Sequence, residues 1–203
     1  MDKDVYKTID KASTEALFKD RGSKFYGYAF AVTNEEEIKE NIEFLKKQHY
    51  NAHHWCYAWQ LGMKYENYRV SDDGEPTNSA GMPIYGQLQA FEVTNILLVV
   101  VRYFGGTKLG IGGLIQAYKT AAKLVLENSK IIKKTINEEF VLQFDYPEIN
   151  KVMQIIKEEQ ISIIHQKLDL NCMYIISVRK KEAEKVFKRF NKTYKVLIKK
   201  KED

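Results

Sequence analysis

The sequence predicts an α+β chain of two domains. Three observations carry that expectation. Strand-like apolar runs are interspersed with helical stripes of period near 3.6. The chain changes character over residues 127–139. Beyond that change the elements read in the order βαββαβ. A length of 203 residues has room for one large domain or two small ones.

In chain order, residues 5–20 and 23–32 read as two strands. "SKFYGYAFAV" is rich in aromatics and valine, and Gly22 supplies a turn before it. In "TNEEEIKENIEFLKKQH", Thr33 with Glu36 makes a capping box, and Ile38, Ile42 and Leu45 form a helical stripe. "HHWCYAWQL" (53–61) reads as a third strand. "SDDGEPTNSAGMP" (71–83) has turn chemistry throughout and reads as a loop, and Pro83 suits the first turn of a short helix to about Ala90. "NILLVVV" (95–101) is a continuous apolar run, as expected of a strand covered on both faces. After a glycine-rich turn, Ile111, Leu114, Ile115, Tyr118, Ala122 and Val125 recur at helical spacing until Asn128.

These elements make a first domain over residues 1–130. The second, residues 137–203, has a strand at 139–145 and a helix at 147–159 with Pro147 near its start. Strands at 161–169 and 172–179 follow, then a helix at 181–190 and a last strand ending at Lys199. That order is the ferredoxin-like split βαβ, a fold that hosts many functions and fixes none.

Composition narrows the class. A chain 44% hydrophobic and 29% charged reads as an ordinary soluble globular protein. The net charge of +5 is too small to argue for nucleic acid by electrostatics alone, and neither half is a strong polycation. The basic tail "KVLIKKK" is open to two readings, a phosphate contact or a solvated end. The N-terminus has no apolar run of the signal-peptide kind, and the longest apolar run, Ile96–Val101, is too short for a bilayer. No membrane association and a cytoplasmic location are therefore expected. Cys56 and Cys172 form no CxxC pair and read as buried thiols in a reducing compartment.

Three segments could carry chemistry. "RYFGGTKLGIGGLIQAYKTAA" places Gly105, Gly106, Gly110, Gly112 and Gly113 between a strand and a helix start, where each glycine costs ~1 kcal/mol relative to alanine. A strand, a glycine-rich turn and a helix N-terminus form an anion site, because amides point outward where the helix dipole is positive. Lys24, Arg102, Lys108 and Lys119 are its candidate cations, for a phosphate of a nucleotide or of a nucleic-acid backbone. Neither the Walker A pattern nor GxGxxG is present. The alternative is close packing of a helix on a strand.

In "VSDDGEPTNSAGMP", Asp72, Asp73 and Glu75 either hold Mg²⁺ or cap backbone N–H groups in an Asx-turn network. Thr77, Ser79 and Gly81 add hydroxyls and amides that suit a ligand without metal. In "NAHHWCYAW", His53 and His54 project to opposite faces of a strand, so only one can face a site as acid, base or ligand. Cys56 is a nucleophile only with a base and an electropositive setting, and the sequence displays neither.

Taken together, these segments resemble the IMPACT family, also called the YigZ family. The resemblance rests on Ser71 to Pro76 with Ala80, Gly81 and Pro83, and on Arg102 to Gly106, Lys108 to Gly110, Gly112 to Leu114 and Ala117-Tyr118. "SKF" at 23–25 and "HHWCYAW" also match. It covers residues from about 5 to 130. It implies a first domain similar to the second domain of ribosomal protein S5, and a second domain similar to the last domain of elongation factor G. Both point toward RNA or the ribosome. The eukaryotic relatives, as the resemblance implies, regulate translation by protein contacts that restrain a stress kinase pathway, through an extra N-terminal module not seen in this sequence. That activity is not expected to carry over. Two positions depart from the family pattern: Met82 stands where lysine is usual and Gln116 where arginine is usual. Both remove positive charge near the anion site.

Three functions follow as expectations. The first is a non-catalytic, translation-associated regulator that binds RNA or the ribosome through the glycine turn, without a cofactor. The second is a Mg²⁺-dependent enzyme acting on a phosphorylated small molecule or nucleotide, with His53, His54 and Asp73 as its catalytic set: Asp72, Asp73 and Glu75 hold the metal, Arg102 and Lys108 stabilise phosphate charge, and His53 or His54 moves a proton. The third is a protein-binding adaptor that uses the loop at 71–83.

Overall fold

A computed structural model describes residues 4–201. It divides into two compact units: Tyr6–Lys134, and the chain from Thr135 onward together with the segment up to Val5.

The first unit is built on a five-stranded antiparallel sheet. Its strands are β2 (Ala16–Asp20), β3 (Ser23–Ala31), β4 (His54–Leu61), β5 (Asn67–Ser71) and β6 (Ile96–Tyr103), in the order β2-β3-β6-β4-β5. β6 is central, which explains its apolar run from Ile96 to Val101. Ile96, Leu98 and Val100 enter one core, and Leu97, Val99 and Val101 enter another on the opposite face. The first core is closed by α2 (Gly81–Phe91) and α3 (Gly110–Glu127), the second by α1 (Glu35–Gln48). Helix α3 sits tightly on β3: a Cβ at Gly27 would lie 2.3 Å from Val125 and 3.2 Å from the Ala121 carbonyl.

Under α1 lies a chain of polar groups. The His49 ring is 2.6 Å from the Tyr28 hydroxyl at Nε2 and 3.0 Å from the Tyr103 hydroxyl at Nδ1, and Tyr28 also meets Glu15. With Tyr28 donating to the Glu15 carboxylate, Nε2 donates to Tyr28 and Nδ1 accepts from Tyr103. The neutral imidazole satisfies every group, and burial pushes the His49 pKa down to match.

Three expectations are corrected here. Residues 5–20 are two strands, β1 (Val5–Ile9) and β2, split by a polar stretch in which Ser13 bonds both backbone groups of Ala29. β1 joins β7 (Ile131–Thr135) in a separate two-stranded ribbon. The cap of α1 is one residue further on than Thr33–Glu36: Asn34 accepts from the Glu37 amide, and the Glu37 carboxylate returns to Thr33. Finally, β5 reaches the first residue of the stretch read as a loop.

The second unit holds β8 (Asn137–Asp145), a short 3-10 turn, α4 (Ile149–Glu158), β9 (Ser162–Lys167), β10 (Asn171–Arg179), α5 (Lys180–Asn191) and β11 (Val196–Lys200). The sheet order is β11-β8-β10-β9, antiparallel throughout, which is the ferredoxin-like arrangement. Phe140, Leu142, Phe144, Tyr174 and Ile176 meet Val152, Ile156, Val186 and Phe190 in its core. Asp4 belongs to this unit because its carboxylate takes Arg179 at 2.6 Å and its carbonyl takes the Ile136 amide.

Candidate functional site

The motif residues of the first unit converge where β4, β6 and α3 meet the loop between β5 and α2. Glu75 is the hub. Its Oε1 accepts from the Arg102 guanidinium at 2.6 Å and from the Tyr118 hydroxyl at 2.7 Å, with the Glu75 and Arg102 side chains almost wholly buried. The aligned register of β4 and β6 puts His54 opposite Arg102, and its Nε2 lies 3.8 Å from the same Glu75 oxygen. His54 Nδ1 is 2.8 Å from the Asp73 carbonyl, which can only accept, so the ring proton sits on Nδ1. Cys56 Sγ lies 3.0 Å from the Asp72 carbonyl and 3.3 Å from the Tyr118 hydroxyl. Burial pushes the pKa of both Cys56 and Tyr118 up, so thiol and phenol stay protonated. Cys56 therefore does not serve as a thiolate.

Arg102 is spoken for. Besides Glu75 it reaches the Ser23 hydroxyl at 3.4 Å, and its guanidinium lies 5.5 Å from the centroids of Phe25 and Phe104. Its Nε has no partner. The expectation that Arg102 supplies charge to an incoming phosphate is corrected on this geometry: it ties the loop at 72–79 to the sheet. Lys24 is also set apart. It follows Ser23 on β3 and faces the side of the sheet opposite Phe25 and Arg102.

The acidic loop takes the turn-network form. The Asp72 carboxylate accepts from the amides of Asn78, Ala80 and Gly81 at 2.8–2.9 Å, and so caps the start of α2, whose N-cap Ala80 has no side chain to do it. Asp73 accepts from the Trp55 amide at 2.7 Å. The buried Ser79 hydroxyl bonds within its own turn, to the Pro76 carbonyl at 2.6 Å, and Thr77 is exposed. Of the two readings of Asp72, Asp73 and Glu75, the hydrogen bonds match the turn network: each carboxylate accepts from a different protein donor, and no group of three or more metal-ligating side chains is gathered among the described residues. His53 is exposed, with Nδ1 accepting from the Phe104 amide at 3.3 Å, so it and His54 serve separate loops rather than one reaction centre.

The glycines divide into two kinds. Gly105 is a spacer: a Cβ there would lie 1.9 Å from the backbone of Gly22. Gly113 is likewise close to the Leu109 side chain, at 3.0 Å. Gly106, Gly110 and Gly112 have nothing within 4 Å of a Cβ, and Gly106 and Gly110 have φ of +88° and +72°. They lie on the open side of an α3 start that no side chain caps. Exposed Lys108 lies between them in the chain, Lys119 is exposed about two and a half turns further along α3, and Gln116 is occupied with Thr120 at 3.2 Å. The site thus has a locked interior of Glu75, Arg102, Tyr118, Cys56 and His54, and an exposed glycine-rich rim at the uncapped start of α3. Sequence reasoning missed Tyr118 as part of the polar site. The available signal was a buried tyrosine, whose hydroxyl needs a partner.

With that geometry in place, comparison with known proteins is direct. The family model described as the Impact N-terminal domain matches residues 21–126, which holds every residue of the locked interior. The IMPACT family member YvyE of Bacillus subtilis is 31% identical over 88% of this chain and 82% of its own. The chain belongs to the IMPACT family. The member YigZ of Escherichia coli is 35% identical over 71% of this chain and 72% of its own. A solved protein titled only as hypothetical shares the fold, with a TM-score of 0.75 over 98% of each chain at 24% identity. The family's "SDDGEP" and "RYFGG" motifs are thus joined by the Glu75–Arg102 pair. No described helix is long and apolar enough to cross a membrane.

Proposed function

We propose that this IMPACT family member is a cytoplasmic, translation-associated regulatory protein that binds RNA or the ribosome and catalyses no reaction. One observation carries the reading: Gly106, Gly110 and Gly112 are exposed, with free space where a Cβ would stand, at a helix start that no side chain caps, beside Lys108. Positive-φ glycines there cost folding stability, and no neighbouring group of the chain fills the space they leave. A phosphate oxygen is the partner such amides suit, because the helix dipole places partial positive charge at them. Lys108 adds the charge that Arg102 does not. The family likeness to translation proteins supports the class of partner. The Mg²⁺-enzyme reading is disfavoured by carboxylates already committed to protein donors.

Co-sedimentation with ribosomes tests the reading. Binding should fall as salt rises, and Lys108→Ala should flatten log K against log salt by about 0.7 to 0.9, one phosphate's worth. Association that is indifferent to both salt and Lys108 would overturn it. The adaptor reading draws on a separate observation, the exposed apolar side chains of Phe104 and Ile111 at the same rim. It predicts a protein partner lost in Ile111→Asp and kept in Lys108→Ala.

A further inference from the structure

The second unit leaves one face of its sheet bare. Helices α4 and α5 both pack on the side that carries Phe140, Leu142, Phe144, Tyr174, Ile176 and Ile198. The alternate residues point the other way, and the strand register arranges them in rows. From β11 to β9, one row reads Leu197, Gln143, Met173, Lys167, and the next reads Lys199, Val141, Ile175, His165. Leu197 is 63% exposed, and Val141, Met173 and Ile175 are half-buried although no helix of the unit covers them. An aliphatic centre on β8 and β10 is thus bordered by a lysine on each edge strand. Neither Lys167 nor Lys199 has an ion-pair partner among the described residues, whereas Lys200 and Lys201 hold Glu138 and Glu139. Asp145 lies at the far end of the face and lines the same groove as Lys195.

We propose that this face docks an amphipathic α-helix of a partner protein, apolar along one stripe and acidic on both flanks. Two features select that occupant. The first is width. β11 and β9 stand three strand spacings apart, roughly 14 Å, and a helix with its side chains is about 10–12 Å across. A helix laid along β8 and β10 sets its apolar stripe on Val141, Met173 and Ile175. Its two flanks then meet Lys199 and Lys167. The second is chemistry. Sheet faces that read RNA stack its bases on aromatic rings, and both rows here are aliphatic at their centre. Burial of that centre supplies the attraction, while the lysines orient an acidic helix and reject a basic one. The face belongs to the second unit alone and works without the glycine turn.

Full-length protein is titrated into a fluorescein-labelled helical peptide of about 18 residues, five turns, with a leucine stripe flanked by glutamates. The control is the same peptide with lysines in place of the glutamates. Anisotropy should show saturable binding of the acidic peptide, about tenfold tighter than of the basic one. Lys167→Glu with Lys199→Glu, both at exposed positions, should weaken the acidic peptide about tenfold and favour the basic one. Leu197→Asp should weaken the acidic peptide about tenfold as well, and circular dichroism should show each variant folded. Methyl spectra should place the contact at Val141, Ile175 and Leu197. Lys108→Ala should change nothing, which keeps this test apart from that of the glycine turn. No saturable binding, equal affinity for the two peptides, or indifference to the double reversal in a folded variant would overturn the proposal. So would displacement of the peptide by a single-stranded RNA, or its loss in Lys108→Ala.

Discussion

Glu75→Ala is the sharpest perturbation of the locked interior. It removes the acceptor of both the Arg102 guanidinium, at 2.6 Å, and the Tyr118 hydroxyl, at 2.7 Å. The cost comes from what stays behind: a buried cation with only Ser23 and two ring faces, and a buried phenol. Removing one partner of a buried pair costs about 3–5 kcal/mol. The Ser23 and ring contacts soften the loss, so about 3–4 kcal/mol is expected. Replacing both charges, as in Glu75→Gln with Arg102→Met, should recover most of it, since no charge is then stranded. Urea unfolding followed by tryptophan fluorescence is the assay, because Trp55 and Trp59 both lie in the first unit. A loss for Glu75→Ala below about 1 kcal/mol, the size of an exposed pair, would refute the reasoning, as would a double variant that pays the sum of both singles.

Asp72→Ala strips acceptors from three amides at the start of α2. It should cost about 2 kcal/mol and speed hydrogen exchange at Ala80 and Gly81. Burial holds the His49 pKa below its usual value. On acidification the unfolded ring protonates first, so the first unit should lose stability as the pH falls below about 6.5. His49→Gln should flatten that slope in urea titrations run at successive pH values. Burial keeps the Cys56 thiol protonated, so iodoacetamide should label it slowly in the native chain and rapidly in urea. Rapid native labelling would contradict the packing of Cys56 under Tyr118.

What the sequence reveals depends on how locally each feature is determined. β6 is legible because a strand buried on both faces runs apolar from Ile96 to Val101. The stripe of α3 and the βαββαβ order are legible for the same reason. β5 is not: it is an edge strand paired only with β4, and "NYRVS" exposes its first three residues, so no alternation announces it. The helix cap misplaced by one residue reflects two adjacent capping side chains, Thr33 and Asn34, whose choice is made by backbone geometry. In the site, the turn chemistry of 71–79 and the glycine junction were readable from local spacing. The partners of the charges were not. Arg102 looks like a free cation in sequence and is paired with a carboxylate 27 residues away. Tyr118 looks like one more core position of a helix, and its hydroxyl reaches Glu75 across 43 residues.

The most direct test of the central claim is an amide chemical-shift titration of the full chain with single-stranded RNA and, separately, with inorganic phosphate. The account predicts the largest shifts from phosphate at Gly106, Gly110 and Gly112, the same amides responding to RNA, and no change at Asn78, Ala80 or Gly81, whose amides Asp72 already holds. Glycine amides that stay still at saturating phosphate and RNA would contradict it.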